Sequence, residues 1–294
     1  MSIDAVPIES AGALAVERSE VRKDLLRQLV RSPLFLIGAF ILLVWIVCAI
    51  FGSAIAPHSA FEQNLENINQ APSSAHLFGT DQLGRDMFSR VIVGSRNIMI
   101  IAPLGTILGT VLGTALGLIM GYFRGWPDDT LGRIVEAFLA LPLVVTALLV
   151  VTALGHSNAI IILVIGIVFT PLIARTVRAA VLLESGLDYV SAARLRGERS
   201  PYIMFVEILP NVSAPILVEF TVRLGYAVFL VATLSFLGLG IQPPSPDWGL
   251  EISQNAQQVA AGYWWEVVFD AAAIISLVVA VNLVSDSIER VLER

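Results

Sequence analysis

The chain has 294 residues, of which 56% are hydrophobic and 14% charged, and a mean hydropathy of +0.80. A water-soluble domain cannot hide that much apolar surface, so composition excludes a soluble enzyme and indicates an integral membrane protein; no nucleic-acid partner is expected. The net charge of −6 says little by itself, because in a membrane protein the placement of charges matters more than their sum.

Residues 1 to about 17 are small and polar without periodicity and are expected to be disordered. From Glu17 to Arg31 the pattern changes: Val21, Leu25, Leu26, Leu29 and Val30 recur at helical spacing opposite Arg18, Arg22, Lys23 and Arg27, which predicts a basic amphipathic helix on the membrane surface. Pro33 then turns the chain into a first span over about Leu34 to Ala56. Its end, Ala54-Ile55-Ala56, imitates a signal-peptidase site, but the apolar run and its leader are too long, so an uncleaved anchor is expected.

A polar loop of about Pro57 to Arg96 follows, and Asp81 with Arg85 and Asp86 with Arg90 stand at i,i+4, which predicts a helical part. The second span, about Asn97 to Tyr122, carries Gly105, Gly109, Gly113, Gly117 and Gly121, one glycine every fourth residue. Such a stripe lets a neighbouring backbone approach closely, so helix packing is the simpler reading and a substrate-conducting face the alternative. The third span, about Ile134 to Leu154, contains Pro142, and the fourth covers about Ala159 to Ala174.

A charged island, Asp188 to Asn211, separates the fourth and fifth spans. Asp188 is suited to N-cap a short helix that Gly197 ends in a left-handed residue; Ser200 is a second N-cap with Pro201 at N1, and Pro210 marks the next break. A helix, a tight corner and a second helix result. The fifth span runs from about Val212 to Phe236 into the sequence SFLGLGIQPPSPDWGLEIS; Tyr263, Trp264 and Trp265 suit a membrane interface, and the sixth span covers about Val267 to Leu283. With both termini inside, fourteen basic residues fall on inner segments and only Arg85, Arg90 and Arg96 on outer loops, the asymmetry of the positive-inside rule.

Catalytic motifs are missing. The only lysine, Lys23, lies between Arg22 and Asp24, so this chain supplies no standard phosphate-binding P-loop; there is one cysteine, Cys48, and the three histidines, at 58, 76 and 156, stand far apart. No catalytic residue, cofactor or metal centre is expected. Arg223 lies about eleven residues into the fifth span, roughly 16 Å deep at ~1.5 Å per residue in an apolar layer ~30 Å thick. Glu219, one turn earlier, is the expected partner, with the pair turned into the bundle as structural glue or as pathway lining.

Three strings carry a family resemblance: Gly79-Thr80-Asp81 with Leu83-Gly84-Arg85-Asp86 and Ser89-Arg90; Ala192-Ala193 with Gly197 and Ile208-Leu209-Pro210; and Ser235-Phe236-Leu237-Gly238 with Trp248-Gly249. Together they resemble the C-type permease subunit of dipeptide and oligopeptide ABC importers, over about Arg18 to Arg290. The resemblance implies an all-α, six-helix type I importer permease in a bacterial inner membrane, with the corner Asp188, Ser191, Ala192, Ala193, Gly197, Ile208, Leu209 and Pro210 fitting a cleft on an ATPase. It divides the chain into a tail and amphipathic helix (1–33), a first helix and outer loop (34–96), a permease core with the coupling loop 188–211 (97–286) and a tail (287–294). Implied partners are a second, B-type permease, two ATP-binding subunits or one fused ATPase that bind ATP and Mg, a solute-binding protein that delivers a peptide or other small solute, and the lipid bilayer. Ser191 and Val231 depart from the family pattern, in which both positions are often glutamate. An ion-coupled secondary transporter, with Glu219 as its buried acid, and a non-transporting assembly subunit are the alternatives.

Overall fold

The computed structural model describes residues 27–292. The amphipathic helix expected before Pro33 therefore lies outside the described residues, except that 27–31 are helical. The first spanning helix, α1 (Pro33–Ile55), starts on a Ser32 cap whose hydroxyl accepts from the Phe35 N–H, with Pro33 at N1 where its missing N–H costs nothing. Its 23 residues reach about 35 Å, enough to cross the apolar layer.

The second helix, α2 (Met87–Phe123), has 37 residues and begins ten residues before the predicted span. Asp86 caps it by accepting from the Ser89 N–H. The predicted third span is two helices, α3 (Trp126–Leu139) and α4 (Leu143–Leu154), bent by 92° at the break. Pro142 is the cause: it sits at the N-cap of α4 rather than inside a continuous helix, since it cannot continue the ladder and biases the residue before it away from helix. The fourth span is α5 (Asn158–Glu184), which runs ten residues beyond its predicted end.

Among the described residues five helices are long and apolar enough to cross a membrane, and the bent α3–α4 pair raises this to as many as six. The packing of α2 on α5 bears on that count. A Cβ at Gly105, Gly113, Gly117 or Gly121 would stand 2.7 Å from the Cβ of Ile165, Ile173, Val177 or Val181, and one at Gly109 would stand 3.0 Å from Phe169 Cβ. Glycines every fourth residue of α2 thus receive a ridge repeating every fourth residue on α5. Both rows ascend together, so the two helices are parallel; Arg124, just past α2, donates to the Leu182 carbonyl near the end of α5. The chain must return across the bilayer between them, and α3–α4 makes that return.

The corner elements follow α5: α6 (Asp188–Leu195) and a helical stretch of three pieces, Ser200–Tyr202, Ile203–Ile208 and Leu209–Asn211. Then α7 (Ser213–Phe236), the short α8 (Trp248–Asn255) and α9 (Trp265–Leu292) complete the bundle. The main apolar core joins α2, α5, α7 and α9, with Phe169, Ile173, Leu234 and Leu277 fully buried in it.

Candidate functional site

The corner between α5 and α7 is built by backbone geometry. α6 ends in Arg196 and Gly197, with Gly197 at φ +78°; the Gly197 N–H donates to the Arg194 carbonyl at 3.0 Å and the Glu198 N–H to the Ala193 carbonyl at 3.2 Å. Those two bonds are a Schellman motif, and the left-handed φ is why glycine occupies the position. Both predicted caps are one residue out: Leu187 and Arg199 are the N-cap residues, neither with a side-chain bond, so Asp188 and Ser200 are the first helical residues. At N1, Asp188 still places its negative charge against the helix N-terminus.

The second helix contains a π-turn, Ile203–Ile208, in which the Leu209 N–H reaches the Met204 carbonyl. Pro210 explains it, since it has no N–H to give to the Val206 carbonyl and its ring crowds that oxygen, so the helix widens ahead of it. Tyr189 locks the two arms together: its hydroxyl donates to Glu184 Oε1 at 2.7 Å and accepts from Asn211 Nδ2 at 3.0 Å. Burial, with Glu184 beside it, pushes the Tyr189 phenol up to about 12.

The predicted corner residues divide between two faces. Ala193 and Ile208 are buried with Val190 and Ile203 and hold the corner onto the bundle; Asp188, Ser191, Ala192, Gly197 and Pro210 face outward, and Leu209 is half-buried. Large apolar side chains stand out beside them, with Leu195 90% and Leu183 79% exposed and Leu187, Tyr202, Phe205 and Val206 also uncovered. An apolar cavity of about 930 Å³ opens between α2 and α7 next to this face, lined by Thr110, Thr114, Leu118, Phe205, Leu217 and Phe220 among others.

Glu219 and Arg223 are paired on α7. Arg223 Nη2 lies 2.6 Å from Glu219 Oε1 with the side chains 19% and 13% exposed, and the guanidinium also sits over the Tyr226 ring at 5.5 Å.

At the far end of α2 the Gly79-to-Arg90 string forms a buried polar knot. The Asp81 carboxylate accepts from the Leu83 and Arg85 N–H groups at 2.9 Å and from Arg85 Nε at 2.6 Å, closing a turn across the Thr80–Asp86 bridge. The Asp81–Arg85 pair therefore forms in a turn and not in the predicted helix. Arg90 passes over Asp86, which is occupied as a cap, and pairs with Glu251 of α8 at 3.0 Å while donating to the Ala60 carbonyl. The glycines of the string have a steric reason: a Cβ on Gly84 would overlap the Asn64 carbonyl, and one on Gly79 would stand 2.5 Å from the Gln70 carbonyl. Trp248 of the third string and Trp265 at the start of α9 are tied to the same region by indole N–H bonds to the Val91 and Thr80 carbonyls, respectively. This cap also holds acids that the sequence reading passed over: Glu266 and Asp270 are fully buried, and their carboxylate oxygens have no hydrogen-bond partner among the described residues. Their place in the first turns of an apolar helix was the available signal.

Residues 113–294 match the model of the binding-protein-dependent transport system inner membrane component, and residues 21–72 match the N-terminal transmembrane domain of oligopeptide transport permease C. The chain belongs to the binding-protein-dependent transport system inner membrane component family. It is similar to the dipeptide transport system permease protein DppC of Alkalihalophilus pseudofirmus, at 35% identity over 271 residues, covering 92% of this chain and 89% of that one. It is also similar to DppC of Bacillus subtilis (33%; 92% and 85% covered) and to the glutathione transport system permease protein GsiD of Escherichia coli O157:H7 (37% over 269 residues; 91% and 88% covered). In fold it matches the inward-facing MetNI methionine ABC transporter at a TM-score of 0.57 and 19% identity, covering 71% of this chain and 98% of that one. This permease is thus a multi-pass, all-helical membrane subunit of an ABC importer.

Proposed function

We propose that the permease carries di- or oligopeptides, or a peptide-like solute such as glutathione, and that ATPase subunits dock on the Asp188-to-Asn211 corner. The observation that carries the docking reading is the outward apolar side chains Leu183, Leu187 and Leu195, beside two arms that backbone bonds and Tyr189 make rigid. An exposed apolar patch on a stiff projection fits a partner cleft better than solvent. The names of the similar permeases support the peptide class.

In this reading both termini and the corner are cytoplasmic, as the basic residues favour, and the polar knot faces outward toward a solute-binding protein. A second, B-type permease covers the groove between α2 and α7. ATP and Mg are bound by the partner ATPases, since this chain's single lysine is not in a P-loop. Closure of the ATPases moves the corner, and the rigid α2–α5 pair transmits that movement to the far face. The experiment is uptake into proteoliposomes holding the permease pair and its ATPases, with the binding protein outside and labelled dipeptide or glutathione offered. ATP-dependent accumulation of either supports the reading; accumulation driven by an ion gradient without ATP refutes it.

A further inference from the structure

We propose that His58, His76 and Asp86 form a binding site for a borderline divalent transition metal, typified by Zn²⁺, at the cap end of α2. Two imidazole nitrogens and one carboxylate oxygen converge there, all within 4.8 Å of one another. His76 Nδ1 stands 2.8 Å and His58 Nδ1 3.6 Å from the same atom, Asp86 Oδ1. A tetrahedral ion with bonds of about 2.0–2.2 Å holds its ligands roughly 3.3–3.5 Å apart, so these separations bracket the required spacing. Turning the exposed His58 ring closes the remainder.

The surrounding bonds favour this use of Asp86. Its Oδ2 is taken by the Ser89 N–H at 2.8 Å and the Ser89 hydroxyl at 2.7 Å, which leaves Oδ1 as the outward ligand. The same Ser89 oxygen accepts from the His58 N–H at 3.2 Å, and the His76 N–H donates to Ser73 Oγ at 3.2 Å, so both histidines are anchored through their backbones. Such outer bonds orient ligands in metal sites. The Asp86 side chain is 2% exposed, that of His76 11% and that of His58 44%, so a fourth position opens to solvent on the His58 side. Nitrogen-rich ligation of this kind suits Zn²⁺ or its neighbours and not Mg²⁺ or Ca²⁺, which take oxygen. The helix N-terminus behind Asp86 opposes a cation; the carboxylate stands between the two and offsets it.

The test uses the untagged permease purified with its co-expressed partners, stripped with EDTA, and titrated with Zn²⁺ against a chromophoric chelator. The wild type is expected to take one Zn²⁺ per permease chain. His58→Ala, whose ring is exposed and whose loss leaves the fold intact, weakens it at least about tenfold, as does His76→Gln. His156→Ala, remote from the cluster, serves as the control and keeps wild-type affinity. A wild type without stoichiometric binding, a His58→Ala protein that binds as tightly, or an equal loss in the His156→Ala protein would each overturn the proposal and leave His76 as an ordinary hydrogen-bond partner of Asp86.

Discussion

Asp247 caps α8 by accepting from the Leu250 N–H while itself only 3% exposed, and burial lifts its carboxyl to about 6. Because the folded protein then holds that proton more tightly than the unfolded chain, stability from this group is fully present below about 4 and declines as pH rises to about 6. Glu251 nearby is shifted the same way by its burial. Asp247→Asn keeps a cap-competent oxygen and removes the titration, so the thermal midpoint of the mutant complex should fall less between pH 4 and 6.5 than that of the wild type; an unchanged slope would show that Asp247 does not titrate there. Glu219 and Arg223 allow a second test at this scale. With both side chains mostly but not fully covered, removing either partner should cost about 1–3 kcal/mol, between the values for exposed and for fully buried pairs. The Glu219→Leu/Arg223→Leu double mutant should recover much of that loss; strictly additive single effects on stability would mean no coupling. This pair was legible in the sequence because i,i+4 spacing on one helix determines it locally. The Arg90–Glu251 pair was not, since it joins residues 161 positions apart that only the fold brings together, and the same holds for His58 and His76.

Among the elements, the α2–α5 pair was the most readable, because a glycine every fourth residue has few physical meanings other than close helix approach. The partner was not readable: Ile165, Phe169, Ile173, Val177 and Val181 look like any apolar helix face until their register with the glycines is seen. Gly113→Leu should drive its side chain into Ile173, whose Cβ is already 2.7 Å from an added Cβ, and into the Thr170 carbonyl at 2.9 Å. Overpacking of that severity costs at least about 1–3 kcal/mol, so the mutant should lose the folded complex on size-exclusion chromatography; recovery at wild-type yield and midpoint would contradict the packing. The third span was misread for a local reason. Hydropathy runs nearly unbroken across Leu139 to Leu143, and the pattern alone does not say whether a proline kinks a helix or ends it. The helix caps at Leu187 and Arg199 were missed because the polar residue that follows each of them is the better cap by propensity, whereas the arms are fixed by the Schellman turn and the Tyr189 bridge.

For the whole molecule, the two ends of α2 carry the features that matter: the polar knot at its start and, beside its C-terminal end, the rigid corner, where Arg194 stands over the Tyr122 ring at 5.1 Å. Thirty-seven residues of helix, packed along the glycine stripe onto α5, join them as one body about 55 Å long. A force applied at the corner can therefore reach the opposite face without passing through a loop. The direct test is ATP hydrolysis by the reconstituted complex, stimulated by the liganded binding protein, for the wild type, Leu195→Glu and Gly197→Pro. Leu195 is 90% exposed, so the charge disturbs only a docked partner; Gly197 at φ +78° cannot become proline, whose φ is fixed near −65°, without breaking the turn. Both variants should insert at normal level and lose the stimulation, and Leu195→Glu should also keep the thermal midpoint of the permease pair. Full stimulation in either variant would contradict docking at this corner.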